Sequence, residues 1–189
     1  MRKSVAGLLA LLFSLTAVNP ASARSCQGVN MPNSIQVDGT TLVLNGMGIR
    51  EATVLQVNVY VAGLYLETAS RDANAILASD TRKRIVLRFV HDVDRADVVE
   101  AMREGFRNNA PGTPQAKINQ LTSWATAMTD GQTMQFTYIP GRGTEFSVNG
   151  QVKGTIEGAD FARSVFSLYI GRNPPNRGLR TGLLGGRCG

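Results

Sequence analysis

Alternating apolar and polar residues indicate several β-strands, and the most informative stretch runs from Leu44 to Glu67. It opens with Gly46 and Gly48, which predict a turn, and continues as a long β-prone run. In one extended strand, successive side chains point to opposite faces. The apolar face would comprise Leu55, Val57, Val59 and Val61. The opposite face would comprise Arg50, Gln56, Asn58 and Tyr60. Such a strand is either a surface strand or one wall of a pocket with a polar tip.

Two dipeptides, Asp38-Gly39 and Asn149-Gly150, are strong signals for tight hairpin turns. The first predicts a hairpin over 36–45, and the second joins predicted strands at 144–148 and 151–156. Further alternation predicts strands at 83–90 and 133–139.

Helical spacing and capping residues predict the helices. Ser70 would cap a short helix over 71–78. Asp94 would cap a second helix, whose buried stripe would comprise Val98, Met102 and Phe106. Thr113-Pro114 would start a third helix. Two closing helices are predicted over 158–170 and 179–184. Strands and helices are thus grouped along the chain, which favours an α+β fold in which helices cover one face of a large antiparallel sheet.

The first 23 residues have the pattern of a cleaved signal peptide. Arg2 and Lys3 precede an apolar run, and Ala21-Ser22-Ala23 matches a signal peptidase site. We therefore expect an exported, periplasmic protein consisting of one domain over 24–189 with no membrane span. The net charge is +6 for the whole chain and about +4 after cleavage, with the arginines dispersed, so the sequence does not predict a nucleic-acid interface.

Cys26 and Cys188, near the two ends of the mature chain, are expected to form a disulfide bond because an exported protein with two cysteines most simply pairs them. The single histidine, His91, lies in a predicted loop beside capping acids, so we predict no metal site and no cofactor. Hydrolase, nucleotide-binding and dinucleotide-binding motifs are absent from the sequence.

Arg50 is the main candidate functional residue. One interpretation is a surface arginine at a strand end; the other is a guanidinium that holds a carboxylate, phenolate or enolate in a cleft. Tyr60 could add a hydroxyl donor, and Asn58 would share its strand face.

The stretch from Leu44 to Glu67 resembles the N-terminal signature of the chalcone isomerase-like family, a glycine-rich turn with an arginine followed by a strand ending in Gly-x-Tyr. The segment 168–175, with its glycine and proline pair, and the Leu-Leu-Gly of 183–185 resemble the family's closing segment. The resemblance implies an open-faced β-sandwich with a ligand cleft between sheet and helices. The family includes plant enzymes that cyclise chalcones, plant proteins that bind fatty acids, and members without known catalysis.

The resemblance places the enzymes' catalytic arginine at Arg50. The cleft threonine corresponds to Tyr60, and the catalytic tyrosine and asparagine fall near Val98 and Gly105, whose side chains cannot form hydrogen bonds. The leading hypothesis is therefore a non-catalytic protein that binds a small amphipathic anion such as a fatty acid through Arg50, Tyr60 and Asn58. The alternatives are an intramolecular lyase (isomerase) in which Arg50 is catalytic, and a structural or partner-binding protein without a ligand; the sequence identifies no protein partner.

Overall fold

The fold is built around one antiparallel sheet. The computed structural model describes residues 22–52 and 57–188. Two short strands, β1 (Ala23–Cys26) and β2 (Val29–Pro32), form a separate hairpin. The large sheet consists of β3 (Ser34–Val37), β4 (Thr40–Ala52), β5 (Val57–Leu66), β6 (Lys83–Phe89), β7 (Thr133–Ile139), β8 (Gly143–Val148) and β9 (Gln151–Ile156). Each strand of this sheet pairs with the next one in the sequence.

The five described helices pack on one face of this sheet. They are α1 (Ala73–Ala78), α2 (Arg95–Asn109), α3 (Gln115–Ser123), α4 (Ala159–Ile170) and α5 (Arg177–Leu183). The larger core lies between helices and sheet, with Phe106, Phe136 and Phe166 at most 1% exposed. A smaller core lies on the other face, where Met31 of the β1–β2 hairpin packs with Met47 and Val61. The predicted α+β architecture is confirmed.

Both predicted hairpin turns are confirmed. Asp38 and Gly39 have φ values of 49° and 77° between β3 and β4, and Asn149 and Gly150 have the same pair of values between β8 and β9. Positive φ at both central residues defines the type I′ turn that suits the twist of a hairpin.

The turn predicted at Gly46 and Gly48 is wrong, because β4 runs straight through both residues. A Cβ atom on Gly46 would lie 2.0 Å from the carbonyl oxygen of Gly182, and one on Gly48 would lie 2.3 Å from that of Leu179. These glycines therefore allow the backbone of α5 to pack directly on β4, a use of glycine that resembles a turn signal in the sequence.

The single strand predicted from Arg50 to Val61 is also wrong. The structure has two antiparallel strands here, β4 ending at Ala52 and β5 starting at Val57, and the predicted face residues Leu55 and Gln56 lie outside the described residues. Arg50 pairs with Tyr60 across the two strands. Arg50 and Tyr60 are therefore neighbours because their two strands pair, whereas the sequence pattern predicted that they lie on the same face of one strand.

Four helix starts differ from the predictions by one or two residues, those of α1, α3, α4 and α5, and in the first two the predicted capping residue is wrong. Asp72, instead of Ser70, caps α1, and its carboxylate accepts hydrogen bonds from the backbone N–H groups of Asn74 and Ala75 at 2.8 and 3.2 Å. Pro114, instead of Thr113, is the residue before α3. Asp94 precedes α2 as predicted, although its side chain makes no capping hydrogen bond.

The disulfide between Cys26 and Cys188 is confirmed, with the two Cα atoms 5.9 Å apart. It ties the β1–β2 hairpin, which the sequence analysis did not predict, to the end of the chain. Most of the predicted signal peptide, residues 1–21, lies outside the described residues. Among the described helices, none combines the length and the apolar composition that crossing a bilayer requires.

Candidate binding cleft

A cleft of about 460 Å³ lies between the helices and the end of the sheet formed by β4, β5 and β6. Its walls are largely apolar. The apolar lining includes Val59, Leu87, Phe89, Met102, Met134 and Leu168. A mostly apolar cavity of this size with a few polar groups is typical of a small-molecule site.

Arg50 is one of the residues that line the cleft. It lies near the end of β4, two and four residues after Gly48 and Gly46, and therefore on the same face of the strand as these glycines. Because α5 packs on that face at both glycines, Arg50 is on the helix side of the sheet. Its side chain is half-buried, and its guanidinium donates one hydrogen bond to the backbone carbonyl of Glu51. Within residues 22–52 and 57–188, no carboxylate lies within 4.0 Å of this guanidinium. Most of its donors therefore remain available to an anion.

Tyr60 lines the cleft opposite Arg50. Its ring packs against that of Phe89, with centroids 5.5 Å apart and planes tilted by 59°. Burial raises the pKa of the Tyr60 phenol far above its ordinary value, although the positive charge of Arg50 acts in the opposite direction. The phenol is therefore neutral at physiological pH and can donate a hydrogen bond but cannot act as a base.

Tyr169 contributes a second phenol to the cleft, and the sequence analysis missed it as a site residue. It lies on α4, is 5% exposed, and packs against Phe136 with ring centroids 6.0 Å apart. Burial raises the pKa of the Tyr169 hydroxyl well above its ordinary value, and the nearby Tyr60 adds to the effect. In the sequence, Phe161, Val165, Leu168 and Tyr169 recur at helical spacing, which predicts the burial of the Tyr169 ring but does not indicate where its hydroxyl lies.

Neither phenol hydroxyl forms a hydrogen bond with another of the described residues, since every side-chain hydrogen bond found there involves other groups. The tyrosines that do donate are Tyr65, to the carbonyl of Pro32, and Tyr138, to Asp80. Both residues line the cleft, so the two hydroxyls can donate hydrogen bonds to a polar group of a ligand there.

Val98 and Gly105 of α2 also line the cleft. Val98 is 6% exposed, and a Cβ atom on Gly105 would lie 2.7 Å from Cγ of Leu168 on α4. Gly105 thus lets the two helices approach closely. Neither residue offers a side-chain hydrogen bond to a ligand, so this wall of the cleft is apolar where the plant enzymes are expected to have a tyrosine and an asparagine.

Asn58, the third predicted site residue, is not among the residues that line the cleft. It pairs with Glu51, whereas Arg50 pairs with Tyr60, so Val59 is an extra residue that forms a β-bulge in β5. A bulge shifts the alternation of side chains along its strand, which explains why the adjacent residues Val59 and Tyr60 both line the cleft. The shared face predicted for Asn58 and Tyr60 assumed a regular strand.

The rim of the cleft carries exposed charged and polar side chains. His91, Asp92, Asp97 and Glu104 are all exposed and all line its mouth. Asp92 accepts a hydrogen bond from the backbone N–H of Asp130 at 2.8 Å. No group of three or more His, Cys, Asp or Glu side chains arranged to hold a metal ion occurs in the described part of the chain.

The proline segment after α4 closes one side of the cleft, with Asn173, Pro174 and Pro175 in its lining. Asn109 at the end of α2 fixes this segment: its side-chain amide donates to the carbonyl of Asn173 at 2.8 Å, and its side-chain oxygen accepts from the backbone N–H of Asn173 at 2.9 Å. The two hydrogen bonds hold the proline segment against the end of α2.

An antiparallel sheet covered by helices on one face, with an apolar cleft between the layers, defines an open-faced β-sandwich protein. The chain belongs to the chalcone isomerase-like family, whose model matches residues 23–185.

Among solved structures, the fold is similar to that of a fatty-acid binding protein from Arabidopsis thaliana. The TM-score is 0.71 and the sequence identity 18%, and the match covers 87% of this chain and 96% of that protein. No curated protein sequence matches the chain significantly. At this level of identity the structural likeness establishes the fold.

Proposed function

We propose that the protein binds a small amphipathic anion in the cleft and does not catalyse a reaction on it, with a fatty acid as the first candidate. The observation that carries this proposal is the half-buried Arg50, which has no carboxylate partner among the described residues and lines an apolar cavity together with two phenols.

The carboxylate of the ligand would bind the guanidinium of Arg50. A guanidinium presents its donors in a planar fork that matches a carboxylate, and hydrogen bonds between charged groups are stronger than neutral ones. The neutral hydroxyls of Tyr60 and Tyr169 would add donors, because burial keeps both phenols protonated.

The acyl tail would occupy the apolar part of the cleft, beside Met102, Leu168 and Met134. A cavity of about 460 Å³ has room for about fifteen groups of the size of a water molecule, at roughly 30 Å³ each. This volume suits a medium-length chain such as laurate. The fatty-acid binding protein with a similar fold supports this choice of ligand, since the same architecture accommodates that class of molecule in it.

The wall of the cleft formed by α2 is unsuited to catalysis. Val98 and Gly105 provide no hydrogen bond to orient a substrate, and the raised pKa of Tyr60 removes it as a general base. Arg50 corresponds to the catalytic arginine of the plant enzymes, which favours intramolecular lyase activity as the second candidate. Absorbance assays on hydroxylated chalcones test this candidate, and a rate above that of buffer that is lost in Arg50→Gln would favour it.

We also propose that the protein is exported and matures near Arg24. The disulfide bond supports an oxidising compartment. The intact mass of the protein from a periplasmic fraction tests this; a mature chain that retains residues 1–23 would contradict it.

Native mass spectrometry tests the binding proposal directly. The protein is delipidated, refolded and offered a mixture of fatty acids, in parallel with Arg50→Gln and with Arg177→Gln, an exposed arginine outside the cleft lining, as the matched control. We expect one fatty acid in the cleft of the wild type and of the control and its loss from Arg50→Gln. No retained ligand, or equal retention by Arg50→Gln, would contradict the proposal.

A further inference from the structure

A second cavity, of about 730 Å³, lies on the face of the sheet opposite the helices. The β1–β2 hairpin forms one wall, and β6 with β7 forms the floor. The cleft described above is on the other face, so the two cavities are separated by the sheet itself. Arg84 and Arg88 of β6 both line the second cavity.

Three contacts fix the hairpin that forms the wall. Met31 packs on Gly63 of β5 so closely that a Cβ atom on the glycine would lie 2.4 Å from the methionine sulfur. Tyr65 donates a hydrogen bond to the carbonyl of Pro32 at 3.0 Å. The Cys26–Cys188 disulfide anchors the other strand of the hairpin. These contacts hold the wall in place, so the second cavity, an open groove between the hairpin and the sheet, is a fixed part of the fold.

Arg84, in the floor of the groove, is partly buried and has few polar partners. Its side chain is half-buried, and its Nε donates to Oγ1 of Thr137 at 2.7 Å. That is its one side-chain hydrogen bond with the described residues, and none of their carboxylates lies within 4.0 Å of it. Burial lowers the pKa of Arg84, while Glu145 and Tyr65 act in the opposite direction.

Glu145 does not neutralise Arg84 at close range, because it is engaged elsewhere. Its carboxylate pairs with the guanidinium of Arg142 at 3.7 Å. Arg142 in turn pairs with Asp38 at 3.1 Å. The terminal amino groups of Arg84 therefore have no anionic partner among the described residues, although burying a charge without a partner costs free energy.

The lining of the groove around Arg84 includes apolar side chains. Val29 and Ile35, from the hairpin and the strand after it, and Val86 on the floor are half-buried and line it together with Met31. Asp130 and Arg88 line it as well, so its charged lining carries one more positive than negative charge.

We propose that this groove is a second ligand site, which takes one anionic oxygen head group at Arg84 and an apolar body against Val29, Ile35 and Val86. The head group is a carboxylate or a phosphate, since both match the donor fork of a guanidinium. The site is independent of the cleft around Arg50, which lies on the opposite face and is proposed to bind its own ligand.

Ligand stoichiometry tests this proposal. Native mass spectrometry and calorimetry are carried out on the delipidated protein with laurate in one arm and dodecyl phosphate in the other, so that the two head groups are compared on one tail. The variants are Arg84→Gln, Arg50→Gln and, as the control, Arg177→Gln. The control removes the same charge from an exposed arginine that lines neither cavity.

We expect two bound molecules at saturation in the wild type with at least one of the probes. Arg84→Gln should weaken one of the two sites by about tenfold or more while the other keeps its affinity, and Arg50→Gln should do the reverse. Arg177→Gln should keep both sites within about threefold, which separates the loss of the guanidinium at Arg84 from the loss of one positive charge elsewhere on the protein.

Other results overturn the proposal. These are a wild type that binds no ligand or only ligand whose affinity Arg84→Gln does not change, or an Arg177→Gln variant as defective as Arg84→Gln. A wild type that binds a single molecule, lost in Arg84→Gln and kept in Arg50→Gln, would support this site and contradict the proposed function of the cleft.

Discussion

Arg50 of β4 lies directly opposite Tyr60 of β5 in the sheet register. The pairing places a guanidinium and a neutral phenol side by side in the lining of one cleft, on two strands of the same sheet. A site built on paired strands is held more rigidly than one built on loops. The cation and the phenol would therefore meet the head group of a ligand with little rearrangement.

The glycines of β4 should be intolerant of even a small side chain. In Gly48→Ala the new Cβ would lie 2.3 Å from the carbonyl oxygen of Leu179, and a backbone atom of α5 cannot move aside as a side chain can. We expect a loss of about 1–3 kcal/mol in the free energy of unfolding, measured by denaturant titration.

Gly112→Ala is the matched control for this prediction. A Cβ atom on Gly112 would meet no other atom within 4 Å, and its φ is not in the left-handed region. The same substitution should therefore leave stability unchanged or raise it by about 0.4–1 kcal/mol through the unfolded state. Equal effects of the two substitutions would show that α5 does not pack on β4 as described.

Stability should fall at alkaline pH because all four tyrosines have raised pKa values in the folded protein. Burial raises the pKa of Tyr65 to about 12 and of Tyr138 to about 12, the latter helped by Asp80, and it also raises the pKa values of Tyr60 and Tyr169 well above the ordinary value of a phenol. Unfolded phenols ionise near pH 10. Below that pH both states are protonated and this contribution is fully present.

Above pH 10 the unfolded state binds fewer protons than the native state, so the free energy of unfolding falls as the pH rises toward 12. Ultraviolet absorbance reports phenolate formation, and circular dichroism reports unfolding. We expect the two signals to change together, well above pH 10. Four phenolates that appear near pH 10 in a protein with native circular dichroism would contradict the burial of these side chains.

The disulfide should contribute substantially to stability because it links positions 162 residues apart. Closing a loop of this length removes entropy from the unfolded chain equivalent to about 5 kcal/mol in the chain-entropy model. We expect the double variant Cys26→Ser/Cys188→Ser to unfold at a lower denaturant concentration than the oxidised wild type. Reduced wild type should resemble the variant, and an unchanged midpoint in both would rule out this contribution.

The acidic rim should make the cleft selective for a single carboxylate. Asp92, Asp97 and Glu104 line the mouth, where a second negative charge at the far end of a ligand would meet like charges. Dodecanedioate should therefore bind more weakly than laurate in calorimetry at low salt. Asp97→Asn combined with Glu104→Gln should reduce the difference; a diacid that binds as well as laurate to the wild type would contradict this role.

The sequence was sufficient for most of the architecture, since the hairpin turns and the helical stripes are local signals. Asp38-Gly39 requires positive φ at both residues, and the chain shows it there. Gly46 and Gly48 were misread because a glycine that admits a neighbouring helix and a glycine that makes a turn are identical in a sequence.

The site was only partly predictable for a related reason. Arg50 and Tyr60 both line the cleft, but their adjacency depends on the pairing of two strands, which local alternation does not encode. The bulge at Val59 changed the face expected for Asn58, and Tyr169 joins the cleft from α4, more than 100 residues further along the chain. The ligand roles of Arg50, Tyr60 and Asn58 stay predictions.

A thermodynamic cycle between Arg50 and the head group of the ligand tests whether the guanidinium binds the carboxylate. Dissociation constants for laurate and for dodecanol, which has the same tail with a neutral hydroxyl, are measured by calorimetry on the wild type and on Arg50→Gln. We expect the substitution to weaken the binding of laurate about tenfold to a hundredfold, as for the loss of a hydrogen-bonded charge, and to change the binding of dodecanol by less than about twofold. Equal changes for the two ligands, or none for laurate, would contradict the claim that Arg50 binds the carboxylate.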